Sequence, residues 1–231
     1  MDFFDAVKAR RSIRKFQDAP VPEEVMEKAF DAALLAPNSS NMQTWDFFWV
    51  RSPEKKKALV EACMKQSAAR TAAELVVVTA DPALWERANP EMLAFVESVN
   101  APEPVKQYYR DYIPTSYRVG LASPVALGKG VASVVAGLRG PTPRGPYSRR
   151  DLQEVAIKSA ALACENFVLA LAAQGYATCM MEGFDEARVM ELVGQEGSAR
   201  VVMVIAAGLE AARGTWGPQF RIAKGKVVHQ L

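Results

Sequence analysis

Histidine is almost missing from this sequence: a single one, His229, stands near the end of 231 residues. That scarcity removes Ser-His-Asp triads, HExxH sites and multi-histidine zinc centres from consideration. Cysteine is nearly as rare. Cys63, Cys164 and Cys179 are too few and too scattered for a disulfide framework or a zinc ribbon, and no metal-ligand spacing is present. Excess charge is lacking too, because 28 Lys and Arg face 26 Asp and Glu for a net charge of +2, which argues against nucleic acid as a partner. No apolar run is long enough to suggest a membrane span. The longest, Ala160 to Ala173, is interrupted by Glu165 and Asn166. The first residues, MDFFDAVKARR, mix acids with bases and contain no apolar targeting core, so the expected location is the cytoplasm, with reduced thiols.

Half of the residues are hydrophobic, enough to bury a substantial core. Residues 2–10 read as a short amphipathic helix with Phe3, Phe4 and Val7 on one face, followed by a basic turn. Pro22 with Glu23 and Glu24 opens a second helix, which Pro37 stops near Ala36. A polar loop follows, then an aromatic, β-branched strand over 44–50. Ser52-Pro53-Glu54 starts a helix expected to run to about Ala69, and a short buried strand covers Leu75 to Thr79. Residues 82–150 hold most of the prolines together with Tyr108, Tyr109 and Tyr112, and read as helices and loops that cover something. A long apolar helix spans about Asp151 to Gln174 and ends at Gly175. Strands at 176–181 and 200–207 flank a helix from Glu186 to Val193, and the tail carries VVH near its end, an added edge strand by its composition. The pattern predicts a single α+β domain over 1–231, with a mixed central sheet flanked by helices.

With side-chain chemistry so restricted, either the protein binds without catalysing or a cofactor carries the reactive group. The run Arg10-Arg11-Ser12-Ile13-Arg14 supplies guanidinium forks and a hydroxyl, a donor set suited to phosphate, although a solvated basic turn has the same composition. A second basic element, FRIAKGK with Arg221, lies at the far end of the chain. GKGVAS at Gly128–Ser133 fails as a dinucleotide fingerprint, since its sixth position is Ser133 and no acidic residue follows at the right distance. No Walker A sequence occurs. MMEGF, Met180 to Phe184, reads as a strand-to-helix turn whose glycine lets backbone approach a flat ring.

Four blocks, RRSIRKF, APNSSNMQTWDF, SAALACENFVLALAAQGYATCMMEGFD and the tail ending RIAKGKVVH, together resemble the FMN-dependent nitroreductase family in order and spacing. The resemblance implies an intertwined homodimer whose C-terminal tail adds a strand to its partner, with FMN at the interface. It implies phosphate binding by Arg10, Ser12 and Arg221, backbone and ribityl contacts from Arg11, and Arg14 as the cation near the flavin pyrimidine edge. It further implies FMN contacts from the loop Asn38, Ser39, Ser40, Asn41 and Gln43, partly from the other subunit, and from Gln66 and Arg70. Met180, Met181, Glu182 and Gly183 would pack on the isoalloxazine and present a backbone N–H to N5. The family's usual proline after the glutamine is Thr44 here. Tyr108, Tyr109 and Tyr112, with Phe95, are candidates for a substrate lid within 82–150. The implied activity is ping-pong hydride transfer from NADH or NADPH to a nitroaromatic, a quinone or a similar small-molecule electron acceptor, with no obligatory catalytic side chain. Dehalogenation, ring oxidation, flavin destruction and non-catalytic FMN binding are the alternatives on the same fold.

Overall fold

Alternation along two strands decides how the layers stack. In β2 (Glu74–Ala80), Val76, Val78 and Ala80 point to one side and Leu75 and Val77 to the other, all buried. In β4 (Arg200–Gly208), Ile205 and Ala207 join the first set, Val204 and Ala206 the second. A sheet with two apolar faces must be covered on both. The computed structural model, which describes residues 1–118, 135–142, 145–146 and 148–231, shows the coverage. The strands β1 (Trp45–Val50), β2, β4 and β3 (Ala177–Met181) pair antiparallel in that spatial order. The parallel component is an isolated bridge between Ser12 and Thr178 at the β3 edge.

One face carries α2 (Glu23–Leu34) and the central helix α8 (Arg149–Ala173). Ala29, Ala33 and Ala36 meet Ala156, Ala160 and Ala163 there, while Phe167 fills the gap to the sheet, 5.0 Å from Phe30 and 6.1 Å from Phe47 between ring centres. The central helix starts at a capping box, Ser148 with Asp151. Its polar interruptions have structural work: Asn166 donates to the Ala32 carbonyl in the last turn of α2, which also accepts from the Leu35 N–H, and Glu165 pairs with Arg10. At 25 residues the helix is long and apolar enough to cross a bilayer, but half of its apolar window is buried inside the protein, as a core helix should be.

The other face carries α3 (Pro53–Ala62), α4 (Ser67–Thr71) and α9 (Glu186–Val193). The helix expected to continue to Ala69 is broken after Ala62. Met64 and Lys65 take left-handed φ values of 55° and 53°, and the Lys65 N–H returns to the Val60 carbonyl. Such helix ends usually carry glycine, and without one the sequence holds no sign of the break. Residues 85–117 fold as α5 (Trp85–Ser98), α6 (Glu103–Gln107), a single π turn (Tyr108–Tyr112) and α7 (Ile113–Tyr117) over a small core of Met42, Trp85 and Ile113. GKGVAS at 128–133 lies outside the described residues, as does part of the 141–146 loop. The end of the tail forms a 3-10 turn at Lys224–Lys226 rather than a strand within its own chain.

Burial pushes the Cys63 thiol up to about 11 and the Cys164 thiol up to about 12, the latter with help from the Glu165 carboxylate. In the unfolded chain both thiols ionise near an ordinary value of about 8.5. Above that pH the unfolded state sheds protons that the folded state keeps, so stability falls as pH rises, by at most ~1.4 kcal/mol per pH unit per thiol. The denaturant midpoint is expected to drop between pH 8 and pH 10, and the drop to be shallower in a Cys63→Ala, Cys164→Ala double variant.

Candidate functional site

Two clefts meet at the β3 edge, and both are built by the two ends of the chain. Residues 10–17 and 209–217 run alongside each other, joined through main-chain groups: Arg14 N–H to the Gly214 carbonyl (2.7 Å), Gln17 N–H to Leu209 (2.8 Å) and Ala211 N–H to Lys15 (3.0 Å). On its other side the N-terminal segment is tied to β3, with the Ile13 N–H on the Thr178 carbonyl at 2.9 Å. Ile13 and Phe16 point into the core, so the intervening residues point outward. Gly214 makes the close approach possible: a Cβ there would lie 2.9 Å from Ile13 Cγ2 and from Glu210 Cγ.

The larger cleft encloses about 480 Å³ and is lined by Ser12, Arg14, Gln66, Ser67, Ala68, Cys179, Met180, Met181, Glu182 and Trp216. Its floor is the end of β3. Its far wall exists because of the α3–α4 break, which turns Gln66 toward the strand, where its amide donates to the Gly183 carbonyl at 2.5 Å. A Cβ on Gly183 would come within 3.3 Å of that amide nitrogen, so the glycine permits the contact. The second cleft, about 270 Å³, is lined by Arg10, Arg11, Ser12, Arg14 and Thr215 to Arg221. The two basic elements that stand at opposite ends of the sequence therefore converge. Ser12, Arg14 and Trp216 belong to both clefts, so one elongated ligand could occupy both.

Each cation has a distinct setting. Arg10 is four-fifths buried and its Nε lies 3.6 Å from Glu165 on the central helix, which leaves the terminal nitrogens free to meet an anion. Arg11 reaches the Gly217 carbonyl at 2.6 Å, so its side chain pins the tail. Arg14 stacks on the indole of Trp216 at 3.6 Å from the ring centre. Arg221 is exposed on the tail and donates to the Phe220 carbonyl. The Cys179 thiol in the cleft wall is raised by burial, against the lowering pull of Arg14.

The polar loop lies elsewhere. Asn38, Ser39, Ser40, Asn41 and Gln43 line neither cleft of their own chain. Ser40, Asn41 and Gln43 have left-handed φ values of 56°, 55° and 45°, held by the Asn38 carboxamide accepting from the Gln43 N–H (2.8 Å) and by Tyr108, whose hydroxyl meets the Ser40 hydroxyl at 2.6 Å. Tyr108 stacks on Tyr112, and Tyr109 packs beside it, so that Tyr108 meets the loop with the other two against its ring. Arg70 is exposed in the last turn of α4 and outside both clefts. Sequence reasoning did not single out Trp216, Ser67, Ala68 or Cys179; for Trp216 the available signal was a large aromatic set between Gly214 and Gly217.

Comparison with known proteins places the chain in a family and a fold. The model of the Nitroreductase family matches residues 7–209. The protein DrgA of a Synechocystis species is 31% identical over 194 residues, covering 84% of this chain and 77% of DrgA. A solved structure assigned as an NAD(P)H:FMN oxidoreductase from Staphylococcus epidermidis superposes with a TM-score of 0.80 at 23% identity, covering 100% of this chain and 96% of the other. Another, assigned as a nitroreductase in complex with FMN from Exiguobacterium sibiricum, gives 0.75 at 23% identity, with 100% and 98% covered. At these identities the superpositions establish a shared fold. For the site itself, Gly214→Ala is expected to cost about 1–3 kcal/mol through overpacking and to speed tryptic cleavage after Arg213, as followed by denaturant titration and timed digestion.

Proposed function

Because the chain belongs to the nitroreductase family, we propose that it is an FMN-dependent NAD(P)H:acceptor oxidoreductase with ping-pong turnover. When bound, FMN supplies the redox chemistry, taking hydride at N5 from NADH or NADPH and passing electrons to a nitroaromatic, a quinone or a similar conjugated electrophile. The observation that carries the reading is the pair of joined clefts. One is walled by arginines from both chain ends. The other is a slot of mixed lining, with Met180, Met181, Ala68 and Trp216 beside polar Ser12, Gln66 and Glu182, and of a size within the usual range for small-molecule sites, about 300–1,000 Å³.

The residues fit the cofactor's parts. Arg10 and Arg221, with the Ser12 hydroxyl, hold the phosphate through charge-assisted hydrogen bonds. Arg11 binds through its main chain while its guanidinium keeps the tail in place. Arg14, at the junction of the clefts, places positive charge where reduction adds negative charge to the ring. Met180, Met181, Glu182 and Gly183 form the wall along the ring, with a main-chain N–H as donor to N5, and Gln66 braces that wall from the opposite side. Orientation and exclusion of water are the work of the protein, and no side chain acts as an obligatory nucleophile.

The loop from Asn38 to Gln43 then completes the site from a second copy. Single-chain exposure supports this: Phe3, Phe4 and Leu162 stand largely in solvent on α1 (Phe3–Ala9) and α8, as do Phe220, Ile222, Val227 and Val228 on the tail. Apolar surface of that extent marks an interaction face. A homodimer with exchanged tails covers it and brings each loop to the neighbouring cleft, with the tyrosines of residues 82–150 above the acceptor.

Two measurements test the reading. Purified protein mixed with FMN under anaerobic conditions is expected to bleach with NADH or NADPH and to recolour with a nitroaromatic or quinone. Flavin held tightly without bleaching by either donor would instead identify a non-catalytic binder. Arg10→Ala and Arg221→Ala should each weaken FMN about tenfold or more, the scale of one lost hydrogen bond to a charged group, with little effect on riboflavin, which lacks the phosphate. Light scattering is expected to give twice the 25.2 kDa of one chain, and a strictly monomeric protein would remove the shared-site arrangement.

A further inference from the structure

Trp216 has no established part in this site, and its surroundings give it one. Of the four tryptophans, Trp45 and Trp85 are buried in the core and Trp49 is half-buried on β1, its indole N–H donating to Glu74 at 2.7 Å. Trp216 is 83% exposed, so it contributes little to the packing of its own chain. The chain nevertheless fixes it on both sides. Gly214, two residues earlier, accepts from the Arg14 N–H, and Gly217, immediately after, accepts from the Arg11 guanidinium. The result is an indole face 3.6 Å from the Arg14 guanidinium carbon, at the one place common to both clefts.

Arg14 has no ion pair in the structure among the described residues. A long, flexible cation beside a cavity would sample many rotamers and give its charge no fixed place. A carboxylate partner would hold it but would cancel the charge. An aromatic face holds a guanidinium by stacking and leaves its charge and edge donors available. We propose that Trp216 is a positioning residue: its indole clamps the Arg14 guanidinium at the junction of the two clefts, so that a full positive charge is held in place toward a ligand that gains negative charge on reduction. This rests on the FMN reading above and adds to it how the electrostatics of the ring site are set, by a residue from the other end of the chain.

The test uses the whole protein with and without FMN. In the FMN-free protein, Trp216 should dominate the quenchable fluorescence, because the other tryptophans are buried or half-buried. Arg14→Leu removes the guanidinium stacked on that indole and should alter its emission maximum and its acrylamide quenching. In the FMN-loaded protein, Trp216→Ala should lower the preference for reduced over oxidised flavin about tenfold, which for a two-electron couple is a shift of about 30 mV to more negative potential. Trp216→Phe, which keeps a stacking face, should recover most of that shift. Thermal melts of the variants should match the parent, given the exposure of the side chain.

A Trp216→Ala protein that binds FMN at the parent potential overturns the inference and leaves the cofactor reading standing. So does a shift that Trp216→Phe fails to reverse. An unaltered chain that takes up no FMN overturns the reading beneath it, and unchanged quenching in Arg14→Leu then overturns the clamp as well.

Discussion

The run of main-chain hydrogen bonds between residues 10–17 and 209–217 is the contact on which the site depends. Hydrogen bonds of this kind add only about 1 kcal/mol each, yet they decide which side chains become neighbours. They lay the last descending segment against the first, and they do so beside the edge of β3. From that one arrangement follow the cluster of guanidinium groups, the shared wall of the two clefts and the direction in which the tail leaves the body. Gly214 sets how closely the strands of this contact approach, and Ile13 anchors it in the core beneath.

Much of the fold could be read from the residues because the relevant signals were local. Pro22 with two acids and Ser52-Pro53 mark helix starts that the structure places within a residue or so, and the Val-rich segments became the two middle strands. The break after Ala62 was invisible because its left-handed residues are Met64 and Lys65 rather than glycine. That break matters, since it delivers Gln66 to Gly183. Likewise the interruptions at Glu165 and Asn166 looked like defects in an apolar helix. They became legible only once Arg10 and the end of α2 were seen opposite them.

The site was legible in its parts and hidden in its assembly. Basic runs at both ends and the MMEGF turn were each as consistent with solvated loops as with a ligand. Their convergence is a long-range fact that spacing does not encode. Trp216 went unnoticed for the same reason, as nothing in GTWGP names Arg14 as its neighbour. The loop from Asn38 to Gln43 shows the converse. Its polar character was plain, but within one chain it belongs to Tyr108 and the central helix rather than to either cleft.

The alanine contacts between α2 and the central helix carry a further implication. Ala29, Ala33 and Ala36 on one side and Ala156, Ala160 and Ala163 on the other bring two helix backbones close together. Ala36 is also the last residue before Pro37 and the polar loop, and Ser39 rests on Ser159 of the same long helix. The separation of these two rods thus sets the height at which the loop emerges. A single added methylene in this seam would shift the loop through Ala36, whose carbonyl accepts from the Asn38 carboxamide, which makes the seam a mechanical adjustment for the position of the loop.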